Sequence, residues 1–191
     1  MSIDLNSQLQ RYLGLDEREI AKVVSSSISQ CRTLVDIGAN DGYYTMAFLA
    51  SHADRVIACE PGPAQAELLS NAAANGYYPS ERFKVESRLV GSRQGQASVA
   101  ELLDGEPTPV FLKVDVDGGE VEVLSSAANY RYLGKTRWVV ETHSLELEEE
   151  CLKWFNDHDF RTRIIDAAWW RSLIPEQRPL VHNRWLVAEP I

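Results

Sequence analysis

The stretch Thr33-Leu34-Val35-Asp36-Ile37-Gly38-Ala39-Asn40-Asp41-Gly42-Tyr43-Tyr44-Thr45 decides how this chain is read. An apolar run ends at an acid, a turn with two glycines follows, and a helix opens behind it. Strand, turn and helix together bring backbone N–H groups and a helix N-terminus to one point, which suits a nucleotide-like ligand. Gly38 and Gly42 let the backbone turn sharply and approach what it binds. The spacing is not G-x-G-x-x-G, because Asn40 stands where the second glycine belongs, and no G-x-x-x-x-G-K-[ST] run occurs. Dinucleotide and nucleoside-triphosphate readings lose ground.

Working outward, Arg55–Cys59 reads as a second strand ending at Glu60, and Ala64–Asn75 as a helix closed by Gly76. Phe83–Val90 is a third strand, and Ser98–Leu103 a short helix. Val110–Val116 and Arg137–Thr142 are further strands, with helices predicted at Glu120–Asn129 and Ser144–Asp157. Arg163–Asp166 and Trp185–Val187 complete the series with no clear helix between them. The alternation predicts an α/β fold, a Rossmann-like seven-stranded, mostly parallel sheet with helices on both faces and an antiparallel last strand. Residues 4–30 look helical, with Leu5, Leu9 and Leu13 on one face and Ile20, Val23, Val24 and Ile28 on another, split at Gly14 with Asp16 as a cap. Packing on the sheet is expected of them rather than a flap over the ligand cleft. One domain over 1–191 is expected, an N-terminal helical extension (1–30) on an α/β core (33–191).

The chain has 191 residues, 45% hydrophobic and 25% charged, which is ordinary for a soluble protein. No apolar run approaches bilayer-spanning length, and Met1–Asn6 does not read as a signal peptide, so a cytoplasmic location is expected and no membrane partner. Net charge is −9 and no Lys/Arg cluster occurs, which argues against a nucleic-acid partner. Cys31, Cys59 and Cys151 have no metal-ligand spacing and read as buried reduced thiols.

Three signals fall at the C-terminal ends of successive strands, the edge where open α/β sheets bind ligands. They are the Asp36–Gly42 turn, Glu60, and Asp115-Val116-Asp117. A carboxylate at Glu60 can accept hydrogen bonds from a ribose diol. Asp36 either faces the amino-acid part of a ligand or orients the glycine loop. Carboxylates favour a cationic ligand over the phosphates of a dinucleotide.

On these residues the chain resembles class I S-adenosylmethionine-dependent methyltransferases, and more narrowly the FkbM type. The resemblance is carried by Val35–Thr45, by Cys59-Glu60-Pro61, by Leu112-Lys113-Val114-Asp115-Val116-Asp117-Gly118-Gly119-Glu120-Val121-Glu122-Val123-Leu124, and by Val140-Glu141-Thr142-His143. That family usually has Glu where Asp117 stands. The resemblance implies an S-adenosyl-L-methionine donor, with Asp36, Gly38, Asn40, Gly42 and Thr45 around its methionine part and Glu60 on its ribose. It places the adenine near Ser87 and Arg88.

Transfer to a hydroxyl benefits from a base, and Asp115, Asp117, Glu141 and His143 are the candidates. His143 titrates near neutrality, and Glu141, two positions earlier, shares its face on a regular strand. Lys113 is placed to pair with Asp115. No metal is expected. Tyr43 or Tyr44 is a candidate to pack over the donor. Trp169, Trp170 and Trp185, around a loop with Pro175 and Pro179, read as core or lid packing ahead of an acceptor platform. The chain lacks an Asn/Asp-Pro-Pro-Tyr/Phe run, so a hydroxyl of a small-molecule or carbohydrate acceptor is expected. Alternatives are a non-catalytic S-adenosylmethionine-binding module on the same fold and a nicotinamide-linked oxidoreductase.

Overall fold

The computed structural model describes residues 17–169, 182 and 184–191. Leu5, Leu9, Leu13, Gly14, Asp16, Trp170, Pro175 and Pro179 lie outside the described residues. In chain order the elements are α1 (Ala21–Gln30), β1 (Thr33–Ile37), α2 (Tyr43–Leu49), β2 (Arg55–Cys59), α3 (Gln65–Ala74), β3 (Phe83–Glu86), α4 (Val99–Leu102) and β4 (Val110–Val114). After these come α5 (Glu120–Ser125), β5 (Thr136–Thr142), α6 (Leu145–Asp157), β6 (Phe160–Asp166) and β7 (Arg184–Pro190).

The strands form one sheet in the order β3-β2-β1-β4-β5-β7-β6. The first five are parallel, and β7 runs antiparallel to both β5 and β6. The order reverses at β1, so the crevice beyond the C-terminal ends of β1 and β4 is the expected ligand site of such a sheet.

Side chains alternate across the sheet with period two. Val35, Ile37, Leu112, Val114, Trp138 and Val140 face a core closed by α4, α5 and α6. Leu34, Val56, Phe111, Val139, Trp185 and Val187 face a second core closed by α1, α2 and α3. β1 and β4 are buried along their whole length, which is why both read as unbroken apolar runs. Ile20 and Val24 are buried in the second core, so α1 packs on the sheet as expected.

Several boundaries differ from expectation. β3 stops at Glu86 rather than Val90, because Glu86 turns back to receive Arg88, and Val90 makes an isolated bridge to Ala97. β4 ends at Val114, since Asp115 leads directly into the Gly118-Gly119 turn. α5 ends at Ser125 rather than Asn129. Ser144 caps α6 through its hydroxyl, which accepts from Leu147 N at 3.2 Å. Glu148 lies in the first turn of α6 but is buried, ion-paired with Arg184 and facing His182 at 3.4 Å. Trp185 is core and Trp169 is exposed. All three cysteines are buried free thiols. Among the described residues no helix is long and apolar enough to cross a membrane.

Candidate active site

The β1–α2 turn lies hard against the end of β4. Gly38 adopts φ +83°, and a Cβ there would lie 1.8 Å from the Asp115 carbonyl oxygen. Only glycine permits that approach. Gly38 and Ala39 donate their N–H groups to the Cys59 carbonyl at 3.0 and 3.1 Å, which ties the turn to β2. Glu60 is then clamped: one carboxylate oxygen accepts Asn40 N–H at 2.9 Å and the other Gly62 N–H at 2.7 Å. Asn40 takes a left-handed conformation, φ 49°, to make this contact.

A cavity of about 500 Å³ opens along this edge, lined by Gly38, Glu60, Leu89, Val90, Asp115 and Val116 among others. Its size lies within the range of small-ligand sites. The lining combines carboxylates, those of Glu60, Asp115, Asp117 and Glu122, with the aliphatic side chains of Ile37, Leu89, Val90 and Val116. Arg88 reaches the lining, although its guanidinium is held by Glu86 and Glu101. Ser87 is instead bonded to Gln65.

Asp36 and Thr45 do not reach the cavity. Asp36 is 1% exposed and accepts the Thr45 hydroxyl at 2.6 Å, so it fixes α2 from beneath the loop. Burial pushes the Asp36 carboxyl up to about 6, while the Lys113 ammonium and the Thr45 hydroxyl pull it down. Lys113, beside Asp36 in the next strand, is itself buried. Its ammonium meets Asp115 at 3.1 Å and Glu17 at 3.5 Å, and lies 4.7 Å from the Tyr44 ring centre. Burial opposes the charge on Lys113, but the carboxylates of Asp115, Glu17, Asp36 and Glu141 outweigh it and hold the pKa above the ordinary lysine value. Tyr43 is partly exposed and packs edge-on against Tyr44. Glu17 also accepts the Trp185 indole N–H at 3.2 Å, so the segment before α1 closes this polar layer.

The ends of β4 and β5 bring together the expected base candidates. His143 Nδ1 lies 2.6 Å from Glu120 Oε1. Its Nε2 faces Asp117 at 3.4 Å, Asp115 at 3.7 Å and Glu141 at 3.9 Å. The hydrogen bond to Glu120 raises the imidazole pKa above its ordinary 6.5, burial lowers it, and the surrounding carboxylates add to the rise. Glu120 is the residue that sequence reasoning missed as a site member. Its signal is the fixed Gly-x-Glu spacing after Asp117, which puts it at the start of α5, facing the end of β5.

No protein-family model and no curated protein matches the chain. Solved structures do. A methyltransferase FkbM from Methylobacillus flagellatus matches at TM-score 0.63 with 18% identity, over 82% of this chain and 43% of that one. The chain thus spans less than half the length of that protein. Streptococcus pneumoniae Sp1610, solved in complex with S-adenosyl-L-methionine, matches at TM-score 0.57 with 19% identity over 91% of this chain and 72% of its own. An S-adenosylmethionine-dependent O-methyltransferase from Thermotoga maritima gives TM-score 0.57 and 15% identity, over 90% of this chain and 65% of that one. Structures of tRNA and precorrin methyltransferases match as well. The chain therefore has the class I S-adenosylmethionine-dependent methyltransferase fold. Within that class it is similar to an FkbM methyltransferase, at an identity that speaks for the fold alone.

Proposed function

We propose that this chain is an S-adenosyl-L-methionine-dependent methyltransferase, FkbM-like, that methylates a hydroxyl oxygen on a small-molecule or sugar-type acceptor. The observation that carries this reading is the imidazole–carboxylate cluster at the rim of the donor cavity, where Asp115 lines the cavity and faces His143. A hydroxyl must shed a proton as it attacks, and this cluster gives it somewhere to go. S-adenosyl-L-methionine, when bound, supplies a methyl group already activated on a sulfonium. The chain's own residues do the rest. Glu60, held by two backbone N–H groups, accepts from the ribose diol. Gly38 and Gly42 shape the loop along the methionine part, with Asp36 and Thr45 stiffening it from below. Leu89 and Val90 offer an aliphatic wall for the base. Asp115 and Asp117 favour the sulfonium and ammonium charges. His143 Nε2 takes up the hydroxyl proton, oriented by Glu120 through Nδ1. Alignment and exclusion of water supply most of the acceleration in such a displacement.

A nucleic-acid acceptor is the second reading, because tRNA methyltransferases share the fold. The net charge of −9 disfavours it. The test is methyl transfer from labelled S-adenosyl-L-methionine to a panel of sugars, phenols, small alcohols and RNA. Labelled methyl ether on a small acceptor is expected. Transfer only to RNA refutes the acceptor class. Donor binding without transfer to anything supports a non-catalytic module instead.

A further inference from the structure

We infer that Gln65 and Asn71 of α3 are positioning residues of the donor site, each fixing the part of it that holds one half of S-adenosyl-L-methionine. The inference deepens the methyltransferase reading and rests on it for the identity of the ligand. Among the described residues that line the cavity none belongs to α3. The contacts of this helix go instead to the segments that shape the cavity.

Gln65, Leu68 and Asn71 follow one another at intervals of three, so they form a stripe on one side of the helix. At the start of the stripe the Gln65 amide donates twice from Nε2, to the Glu60 carbonyl at 3.0 Å and to the Ser87 hydroxyl at 2.8 Å. Glu60 follows β2 and Ser87 follows β3, so one side chain ties two strand ends together. The Glu60 N–H goes to the Glu86 carbonyl at 3.0 Å, and its carboxylate oxygens take the N–H groups of Asn40 and Gly62. With Gln65 on its carbonyl, Glu60 is fixed in backbone and side chain alike. Arg88, Leu89 and Val90, directly after Ser87, line the cavity. Gln65 therefore sets the gap between the carboxylate proposed for the ribose and the wall proposed for the base.

The other end of the stripe serves the β1–α2 turn. Asn71 Nδ2 donates to the Asp41 carbonyl at 2.8 Å. Leu68 is fully buried and packs against the next residue of the turn, where a Cβ on Gly42 would lie 3.2 Å from Leu68 Cγ. Three successive residues of the turn are thus held from outside it: Asn40 by Glu60, Asp41 by Asn71 and Gly42 by Leu68. Asn71 lies about 9 Å beyond Gln65 along the helix axis, so the two amides act on different parts of the site. Groups that touch no ligand govern affinity when they fix the groups that do, because a binding group must be held within about 0.5 Å of its productive place.

The experiment measures S-adenosylhomocysteine and methylthioadenosine binding calorimetrically on the full chain, for the wild type, Gln65→Met and Asn71→Leu. Both substitutions remove the amide at nearly constant volume, and both positions are partly exposed, so the fold should survive them. Methylthioadenosine keeps the nucleoside and lacks the amino-acid chain. Gln65→Met should weaken both ligands about tenfold, in line with two lost hydrogen bonds. Asn71→Leu should weaken S-adenosylhomocysteine about fivefold and leave methylthioadenosine unchanged. A merely structural role gives no such split between the ligands. In a Glu60→Gln background, Gln65→Met should cost less than it does in the wild type, because its effect runs through Glu60. Unchanged S-adenosylhomocysteine affinity in both variants overturns the inference, as do equal weakening of the two ligands by Asn71→Leu and strictly additive losses in the double variant. The two claims separate in the wild type. Binding there with unaffected variants sinks the positioning role alone, whereas a wild-type chain that binds neither ligand sinks the methyltransferase reading itself.

Discussion

Replacing Gly38 with alanine tests the reasoning about the β1–α2 turn most directly. The added Cβ would sit 1.8 Å from the Asp115 carbonyl oxygen and 2.8 Å from its carbon. Real Cβ contacts essentially never fall under 3.0 Å, so the turn and the end of β4 must part by more than an ångström. The obstacle is backbone, which cannot rotate away as a side chain would. Three hydrogen bonds hold the turn in place: Gly38 N–H and Ala39 N–H to the Cys59 carbonyl at the end of β2, and Asp115 N–H to the Ile37 carbonyl at 2.9 Å. Alanine in a left-handed conformation costs about 1–2 kcal/mol. Weakening two or three hydrogen bonds costs about 1 kcal/mol each. The expected loss is about 3–5 kcal/mol, a large share of the roughly 5–15 kcal/mol that holds a domain together. The assay is urea unfolding of Gly38→Ala beside Gly95→Ala. Gly95 has a similar φ, +86°, but nothing within 4 Å of its Cβ position, so it reports backbone strain alone. Gly38→Ala should lose at least about 2 kcal/mol more than Gly95→Ala, and should also lose S-adenosylhomocysteine binding. Equal losses in the two variants refute the close-approach argument.

Glu60→Gln removes the charge proposed to receive the ribose diol and one of the two loop N–H acceptors. Calorimetry should show S-adenosylhomocysteine affinity falling about 10–150-fold, the equivalent of 1.5–3 kcal/mol for a charged hydrogen bond, and an unchanged affinity refutes the ribose contact. Lys113→Met leaves the buried Asp36 carboxylate without the ammonium beside it, and a destabilisation of about 3–5 kcal/mol in urea unfolding is expected. The pH dependence has a defined sign. The folded state holds the His143 proton more tightly than the unfolded chain does. The stability this adds is complete below pH 6.5 and is lost as pH rises through the raised folded value. Unfolding melts from about pH 6 to 9 should show that decline in the wild type and a flatter profile in His143→Gln.

The sheet was legible because its central strands announce themselves. Val110–Val114 and Thr33–Ile37 are buried on both faces, and only unbroken apolar runs satisfy that. The absence of a helix before Trp185 gave the antiparallel direction of β7. Its insertion between β5 and β6 follows from burial. Trp185, Leu186, Val187 and Ala188 are all buried, whereas β6 carries Arg161 and Arg163 on an outer strand with a charged, mostly open surface. The His143–Glu120 contact was not legible. It joins residues 23 positions apart on different elements, and no local periodicity records it. The Glu17–Lys113 pair is harder still, because it crosses from the segment before α1 to the middle of the sheet.

Asp36 shows why a motif acid need not touch the ligand its motif serves. Side chains alternate along β1, so Asp36 points to the face of Leu34, and Gly38, two residues on, lies past the strand where the chain turns across the sheet end. Asp36 is paired in register with Lys113, and Lys113 with Val139, two residues before Glu141. All of these side chains share one face. The result is a row of charges, Asp36, Lys113 and Glu141, laid across three adjacent strands just inside their C-terminal ends. An isolated buried charge is too expensive to keep, but neighbours of opposite sign in register make the row tolerable. Thr45 and Glu17 complete the row from above, which holds α2 and the N-terminal segment in place. The turn can then present Gly38 and Glu60 to the cavity without collapsing into it. The acid in the opening stretch therefore acts at one remove, and its substitution by asparagine should reduce donor affinity through the loop while leaving the cavity lining unchanged.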